Sequence, residues 1–255
     1  MPALEARALL SHLLGMPRER LIAHPQQLIT PASANCFAEL AQRRQSGEPL
    51  AYLLGEKEFY GRKFAVTPAV LIPRPETELL VEVALQLIPR DRARALDLGT
   101  GSGCIAVTLA LERPDWHLTA TDASLDAIRV ATSNADRLQA SNVAFRSGNW
   151  FDAVVDQRFD LIVANPPYIA ADDPHLDALG YEPRAALVAD DNGLACLRTI
   201  IEAARSYLSP HGVLALEHGH EQGAAVRELF AANGWRNAHT RVDLAGVERV
   251  TSALV

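Results

Sequence analysis

Arg94-Ala-Leu-Asp-Leu-Gly-Thr-Gly-Ser-Gly103 is the stretch that decides the fold. Its first half, Arg94 to Leu98, is a short apolar run carrying one carboxylate, Asp97, and predicts a buried strand. Glycines at 99, 101 and 103 end that strand, and an apolar run from about 103 to 112 predicts the helix that follows. Glycine lets backbone approach a ligand closely, and a helix amino terminus favours electron-rich groups. The spacing is Gly-x-Gly-x-Gly after an acidic residue, not the Gly-x-Gly-x-x-Gly of dinucleotide-binding folds. Alone it is a weak signal, and a tight βα turn with no ligand is the less favoured alternative.

Downstream, the alternation of strand and helix continues. Trp116 to Thr121 predicts a second strand, and Leu125 to Leu138 a helix with Leu125, Ile128, Ala131, Ala135 and Leu138 on one side. Asn142 to Arg146 and Phe159 to Ala164 predict two more strands. After a long loop from 165 to about 191 come a helix over about 193–208, a strand Gly212 to Glu217 and a helix over about 221–232. Two closing strands, Trp235 to Val242 and Glu248 to Leu254, end the chain. Strands alternating with helices imply an α/β fold with a parallel sheet covered on both faces.

Two further features sit at predicted strand ends. Asp122 closes the second strand, 23 residues after Gly99, where a carboxylate can accept both hydroxyls of a ribose. It could instead cap the next helix, for which Ser124 is an equally good candidate. Asn165-Pro166-Pro167-Tyr168 follows the fourth strand. Two prolines cannot continue a ladder, so the backbone leaves the sheet stiffly and offers an amide, a carbonyl and an aromatic face. In open α/β sheets ligands sit at this edge. Trp150 follows the third strand on the same edge and could cover a flat ring, although a lone tryptophan is more often ordinary packing.

Together these form the layout of adenosylmethionine-dependent methyltransferases of the Rossmann-like class. The lone pair of an NH₂ group on a flat system is delocalised and weakly nucleophilic. The Asn165 oxygen and the Pro166 carbonyl can accept its two hydrogens, and Tyr168 can stack on the planar group. Such contacts aim the nitrogen and stabilise the charge developing on it. Adenine, cytosine and glutamine all fit that description.

Upstream, leucines at 4, 9, 10, 13 and 14 predict a helix over 3–14, stopped by Gly15. Arg18 to Ala23 and Pro31 to about Ser46 predict two more, making a small helical domain. Glu58 to Val66 predicts a hairpin turning at Gly61-Arg62. Leu71-Ile-Pro-Arg-Pro-Glu-Thr-Glu78 holds Arg74 between two prolines ahead of a helix over about 76–88; composition alone favours a linker with a solvated arginine.

Over nearly its whole length the chain resembles the protein-glutamine methyltransferases that modify class 1 peptide chain release factors. The motifs carrying the likeness are Gly47-Glu-Pro-Leu50, Leu71 to Glu78, Leu96-Asp-Leu-Gly-Thr-Gly-Ser-Gly103, Asn165-Pro-Pro-Tyr-Ile169, Tyr181-Glu-Pro183 and Glu217-His-Gly219. The resemblance implies a helical substrate-docking domain over 1–50, a β-hairpin linker over 51–75 and a methyltransferase domain over 76–255. Its sheet would be Rossmann-like, seven-stranded, mostly parallel and doubly wound. The cofactor would be S-adenosyl-L-methionine, held by Asp97, Gly99, Thr100, Gly101, Ser102, Gly103, Asp122, Trp150 and Asn165. Asn165, Pro166, Pro167 and Tyr168 would bind the glutamine of a Gly-Gly-Gln motif, with Asn165, Pro166 and Tyr168 catalytic. Two departures stand out. Asn149 occupies a position that is usually acidic, and the amino-terminal domain is short by about one helix, as a truncated or misassigned start would leave it.

Composition bounds the alternatives. A net charge of −7 and the lack of a basic arm disfavour an adenine or cytosine methyltransferase acting directly on nucleic acid. A non-catalytic module binding an adenosine-containing ligand would need neither Asn165 nor Tyr168. Three scattered cysteines (Cys36, Cys104, Cys196) suggest neither a disulfide framework nor a metal site, so a reducing cytoplasm is expected. No apolar run is long enough to span a membrane, and a monomer is expected.

Overall fold

The computed structural model describes all residues, Met1–Val255, in two compact units, Met1–Lys57 and Glu58–Val255. The first unit is helical: α1 (Ala3–Leu14), α2 (Arg18–Ala23), α3 (Pro31–Gln45) and α4 (Leu50–Leu54). Gly15 ends α1 in the left-handed conformation that glycine adopts without strain (φ 59°). Thr30 caps α3 by accepting the Ser33 N–H at 3.1 Å, with Pro31 at the first helical position. Arg44 on α3 makes a forked ion pair with Glu5 on α1 at 2.9 and 3.0 Å. Sequence periodicity does not reveal α4, because five residues are too few to display a period.

A two-stranded hairpin joins β1 (Glu56–Phe59) to β2 (Arg62–Ala65). Its turn is Tyr60-Gly61, both with positive φ (52° and 72°), one residue earlier than the sequence predicts. Paired positive φ values match the right-handed twist of hairpin strands.

The second unit is built on a seven-stranded sheet in the order β5-β4-β3-β6-β7-β9-β8. The strands are β3 (Arg94–Leu98), β4 (His117–Asp122), β5 (Val143–Ser147), β6 (Phe159–Ala164), β7 (Leu208–Glu217), β8 (Arg236–Val242) and β9 (Glu248–Leu254). The first five are parallel, and β9 runs antiparallel to both β7 and β8. Alternation along β3 divides the core: Ala95 faces one apolar layer, and Leu96 and Leu98 the other. The first layer is closed by α5 (Glu78–Leu87), α6 (Cys104–Glu112) and α7 (Leu125–Leu138). The second is closed by α8 (Ala195–Ala204) and α9 (Gly223–Ala232). The expected doubly wound architecture is present.

Several bounds differ by a residue or a few from the sequence reading, and one shift has a clear physical reason. β7 begins at Leu208 rather than Gly212, and its pairing with β6 slips in register between Phe159 and Leu161. That irregularity accommodates Pro210 and Gly212, which otherwise read as breakers. The loop after β6 also has order of its own, with 3₁₀ turns at Pro174–Leu179 and Arg184–Ala186 and a bridge between Ile169 and Val188.

What positions the site is the reversal of strand order beside β3. The chain moves outward from β3 to β5, then returns to lay β6 on the other side of β3. Leu98 and Ala164 are register partners, so the glycine loop and Asn165 leave the sheet side by side. Ligands bind at such a switch point.

Candidate active site

The glycine loop is held mainly by backbone. The N–H groups of Gly99 and Thr100 both donate to the Thr121 carbonyl at 2.9 Å, tying the loop to the end of β4. Gly99, Gly101 and Gly103 have φ of 70°, 56° and 80°, where a side chain is strained. A Cβ on Gly103 would also stand 3.0 Å from the Ala131 Cβ, so this glycine lets the loop pack on α7. Asn134 of α7, fully buried, donates to the Ser102 carbonyl at 2.8 Å and to the Ala65 carbonyl of β2 at 3.0 Å, joining hairpin and loop.

Asp97 lies behind this loop, fully buried. Its Oδ2 accepts the Thr100 hydroxyl at 2.6 Å, while Oδ1 has no hydrogen-bond partner. Burial pushes its pKa up to about 7, helped by the nearby Asp122 charge and opposed by the Thr100 hydroxyl and Ala106 amide. Asp122 accepts the Gly101 N–H on Oδ2 at 2.9 Å and the Ser124 N–H on Oδ1 at 2.8 Å. The cap of α7 is Ser124, whose Oγ accepts the Ala127 N–H at 3.2 Å, so Asp122 is not needed there. Trp150 is held at φ 46°, and its carbonyl accepts the Thr121 hydroxyl at 3.1 Å. Its ring lies beside Gly99, 3.6 Å from where a Cβ would stand.

These residues enclose a cavity of about 350 Å³, lined by Gly99, Thr100, Gly101, Ser102, Asp122, Asn149, Trp150, Asn165 and Pro167. Asp97 and Gly103 are not among its lining residues; they support the wall from behind. A second cavity of about 270 Å³ is lined by Asn165, Pro166, Tyr168, Glu76, Glu217 and Arg249. Leu71, Arg74, Asn165 and Ala186 border both cavities. Two chambers of ligand size therefore meet at Asn165.

Distant side chains fasten the Asn-Pro-Pro-Tyr segment. Asn165 Nδ2 donates to Thr77 Oγ1 at 3.1 Å, and the Tyr168 hydroxyl donates to Glu217 Oε1 at 3.3 Å. The Tyr168 carbonyl accepts Gln222 Nε2 at 3.0 Å. Gly193 packs so closely on the same carbonyl that a Cβ there would stand 2.1 Å from its oxygen. Burial and the Glu217 charge raise the Tyr168 pKa above its ordinary value. Burial likewise raises Glu217 to about 7, against the lowering effects of Thr77, Tyr168 and Arg249.

Arg74 is not a solvated linker residue. It donates to Glu182 at 2.5 Å, and the other Glu182 oxygen accepts the Ile72 N–H at 3.0 Å. Glu182, only 7% exposed, thus pins the Leu71–Glu78 segment to the long loop. Sequence reasoning gives Thr77, Glu182 and Glu217 no role of their own. The available signals were their places in Leu71–Glu78, Tyr181-Glu-Pro183 and Glu217-His-Gly219 and, for Glu217, a carboxylate ending the apolar run Val213-Leu-Ala-Leu-Glu217.

Residues 1–55 match the family model described as PrmC N-terminal domain, and residues 75–180 match the methyltransferase small domain. The release factor glutamine methyltransferase of Salmonella typhimurium is 48% identical over 98% of this chain and 91% of its own length. Its namesake in Bordetella pertussis is 50% identical, over 98% of this chain and 94% of its own. Among solved structures, a methyltransferase from Pyrococcus furiosus superposes with a TM-score of 0.60 at 20% identity, covering 84% of this chain and 98% of the other, a likeness of fold alone. With near-half identity sustained from end to end, this chain belongs to the release factor glutamine methyltransferase family.

Proposed function

We propose that this protein methylates the side-chain amide nitrogen of the glutamine in the Gly-Gly-Gln motif of class 1 peptide chain release factors, with S-adenosyl-L-methionine as methyl donor. The observation that carries the reading is the position of Asn165 on the border of two chambers, one walled by the glycine loop and the other by Pro166 and Tyr168.

The first chamber fits the donor chemically. Asp122 offers carboxylate oxygens for a ribose, Trp150 an indole for a purine, and the left-handed glycines a side-chain-free approach. Asp97, buried with one oxygen unpartnered and its pKa raised to about 7, braces the loop from behind through Thr100. When bound, S-adenosyl-L-methionine supplies an electrophilic methyl group beside a positively charged sulfur. The protein's own task is then to present the nitrogen. Asn165 Oδ1 and the Pro166 carbonyl accept the two amide hydrogens, and Tyr168 bears on the flat amide. These contacts strengthen as positive charge develops on nitrogen, which then loses a proton.

The same three groups would also hold adenine or cytosine. The net charge of −7 and the names carried by the close relatives favour a protein acceptor, acting in the cytoplasm where release factors work. Transfer of labelled methyl to purified release factor tests the reading. Label is expected on the native substrate and not on a version with its motif glutamine changed to alanine. Label on a duplex oligonucleotide and none on release factor would overturn it.

A further inference from the structure

An asparagine amide can serve as the acceptor-binding group in only one of its two orientations. Asn165 Nδ2 donates to Thr77 Oγ1 at 3.1 Å, which turns its oxygen away from Thr77. Thr77 is 2% exposed and ends the 3₁₀ turn Pro75–Thr77 in helical conformation (φ −67°, ψ −19°), running straight into α5. Here it makes no cap hydrogen bond. The hydroxyl is instead committed to Asn165 and lies close enough to Glu217 to lower that carboxyl's pKa.

Glu217 ends β7 at 1% exposure. Its Oε1 accepts from Tyr168, and its Oε2 is sealed from solvent with no hydrogen-bond partner. Although Glu217 lines the second cavity, its Oε2 is sealed from solvent and its Oε1 is engaged by Tyr168, so it acts through its neighbours. A hydroxyl carries one hydrogen and two lone pairs. Thr77 Oγ1 accepts from Asn165 Nδ2, which leaves its own hydrogen to point toward the nearby Glu217 carboxyl, an acceptor once ionised above about pH 7.

We propose that Thr77 and Glu217 are positioning residues, whose hydroxyl and buried carboxylate fix the Asn165 amide with its oxygen toward the methyl acceptor and hold the Tyr168 phenol in register with it. The inference rests on the reading of Asn165 as the group that grips an NH₂. One buried carboxyl thus stands behind both ends of Asn-Pro-Pro-Tyr, bonded to Tyr168 and close to Thr77, under the influence of Arg249 from β9 and of Glu76. A donor in place of the carboxylate reverses the chain of hydrogen bonds. Thr77 then accepts from position 217 and donates to Asn165, whose NH₂ turns toward the acceptor and meets hydrogens with hydrogens.

The test measures turnover, cofactor Kd and melting temperature for the full-length wild type, Thr77→Val, Thr77→Ser and Glu217→Gln. Thr77→Val and Glu217→Gln are each expected to lose about 10-fold or more in turnover; cofactor Kd stays within about twofold in Glu217→Gln and within about fivefold in Thr77→Val, because Thr77 also lines the first cavity. Thr77→Ser keeps the hydroxyl and is expected within about threefold of wild-type turnover. Wild-type turnover in Thr77→Val or in Glu217→Gln overturns the proposal. So does a Thr77→Ser loss as deep as that of Thr77→Val, which would assign the effect to methyl packing. If one substitution prevents folding, the other decides. A wild type that methylates no release factor defeats the proposed function instead, whereas an active wild type with insensitive variants defeats only this inference.

Discussion

The two halves of the site are built differently. The glycine-loop wall of the cofactor-side chamber is local: Asp97, the glycines, Asp122 and Ser124 fall within one stretch of chain, and most of their contacts use backbone N–H and carbonyl groups. The acceptor-side chamber draws its support from afar. Asn165 depends on Thr77, Tyr168 on Glu217 and Gln222, and Arg74 on Glu182. On the proposed function, backbone would hold a cofactor whose recognition is shared by many enzymes, while long-range side chains would set the orientation of the group that grips the substrate. Affinity for cofactor and rate of transfer should therefore be separable by mutation.

The largest effect is expected from Asn165→Ala. Removing the oxygen that aims the nucleophile should lower turnover by about 100-fold or more. Cofactor Kd should change little, and calorimetric titration beside steady-state kinetics checks the split. Unchanged turnover would remove Asn165 from its role. Asp122→Ala should do the reverse. Losing an acceptor for charge-assisted hydrogen bonds should weaken cofactor binding by about 10- to 100-fold, with turnover at saturating cofactor much less affected. An unaltered Kd would count against the ribose contact.

The smallest effect is on stability. Burial raises Asp97 and Glu217 to about 7 from ordinary values of 3.8 and 4.5. Between those limits the folded chain holds protons that the unfolded chain has released. Their contribution to stability is therefore greatest below the unfolded values, declines as pH rises toward about 7 and is constant above it. Glu217→Gln removes one of the two. The difference in melting temperature between variant and wild type should then grow, in the variant's favour, from about pH 5 to about pH 7. A difference that does not change with pH would mean that Glu217 is already ionised across the range.

The contrast between the halves also explains what was legible before any coordinates. Leu125–Leu138 and Phe159–Ala164 have the bounds read from their apolar spacing, because each is long or cleanly punctuated. The glycine loop and Asp122 declared themselves by spacing along one βα unit, although only the structure shows that Ser124 rather than Asp122 caps α7. Thr77, Glu182 and Glu217 lie in motifs that carry the family resemblance, but their roles stayed hidden because each meets its partner across 49 to 108 residues, a distance at which no local pattern can speak. The same reason hid Gly193, an ordinary turn glycine until the fold sets it against the Tyr168 carbonyl.

The claim that two chambers meeting at Asn165 join a methyl donor to a glutamine amide is tested most directly by mapping the product. Release factor incubated with the enzyme and S-adenosyl-L-methionine is digested, and the motif peptide is sequenced by fragmentation mass spectrometry. The account predicts one added methyl on the side chain of the motif glutamine with wild type, and almost none with Asn165→Ala. Methyl on any other residue, or undiminished methylation of that glutamine by Asn165→Ala, would contradict it.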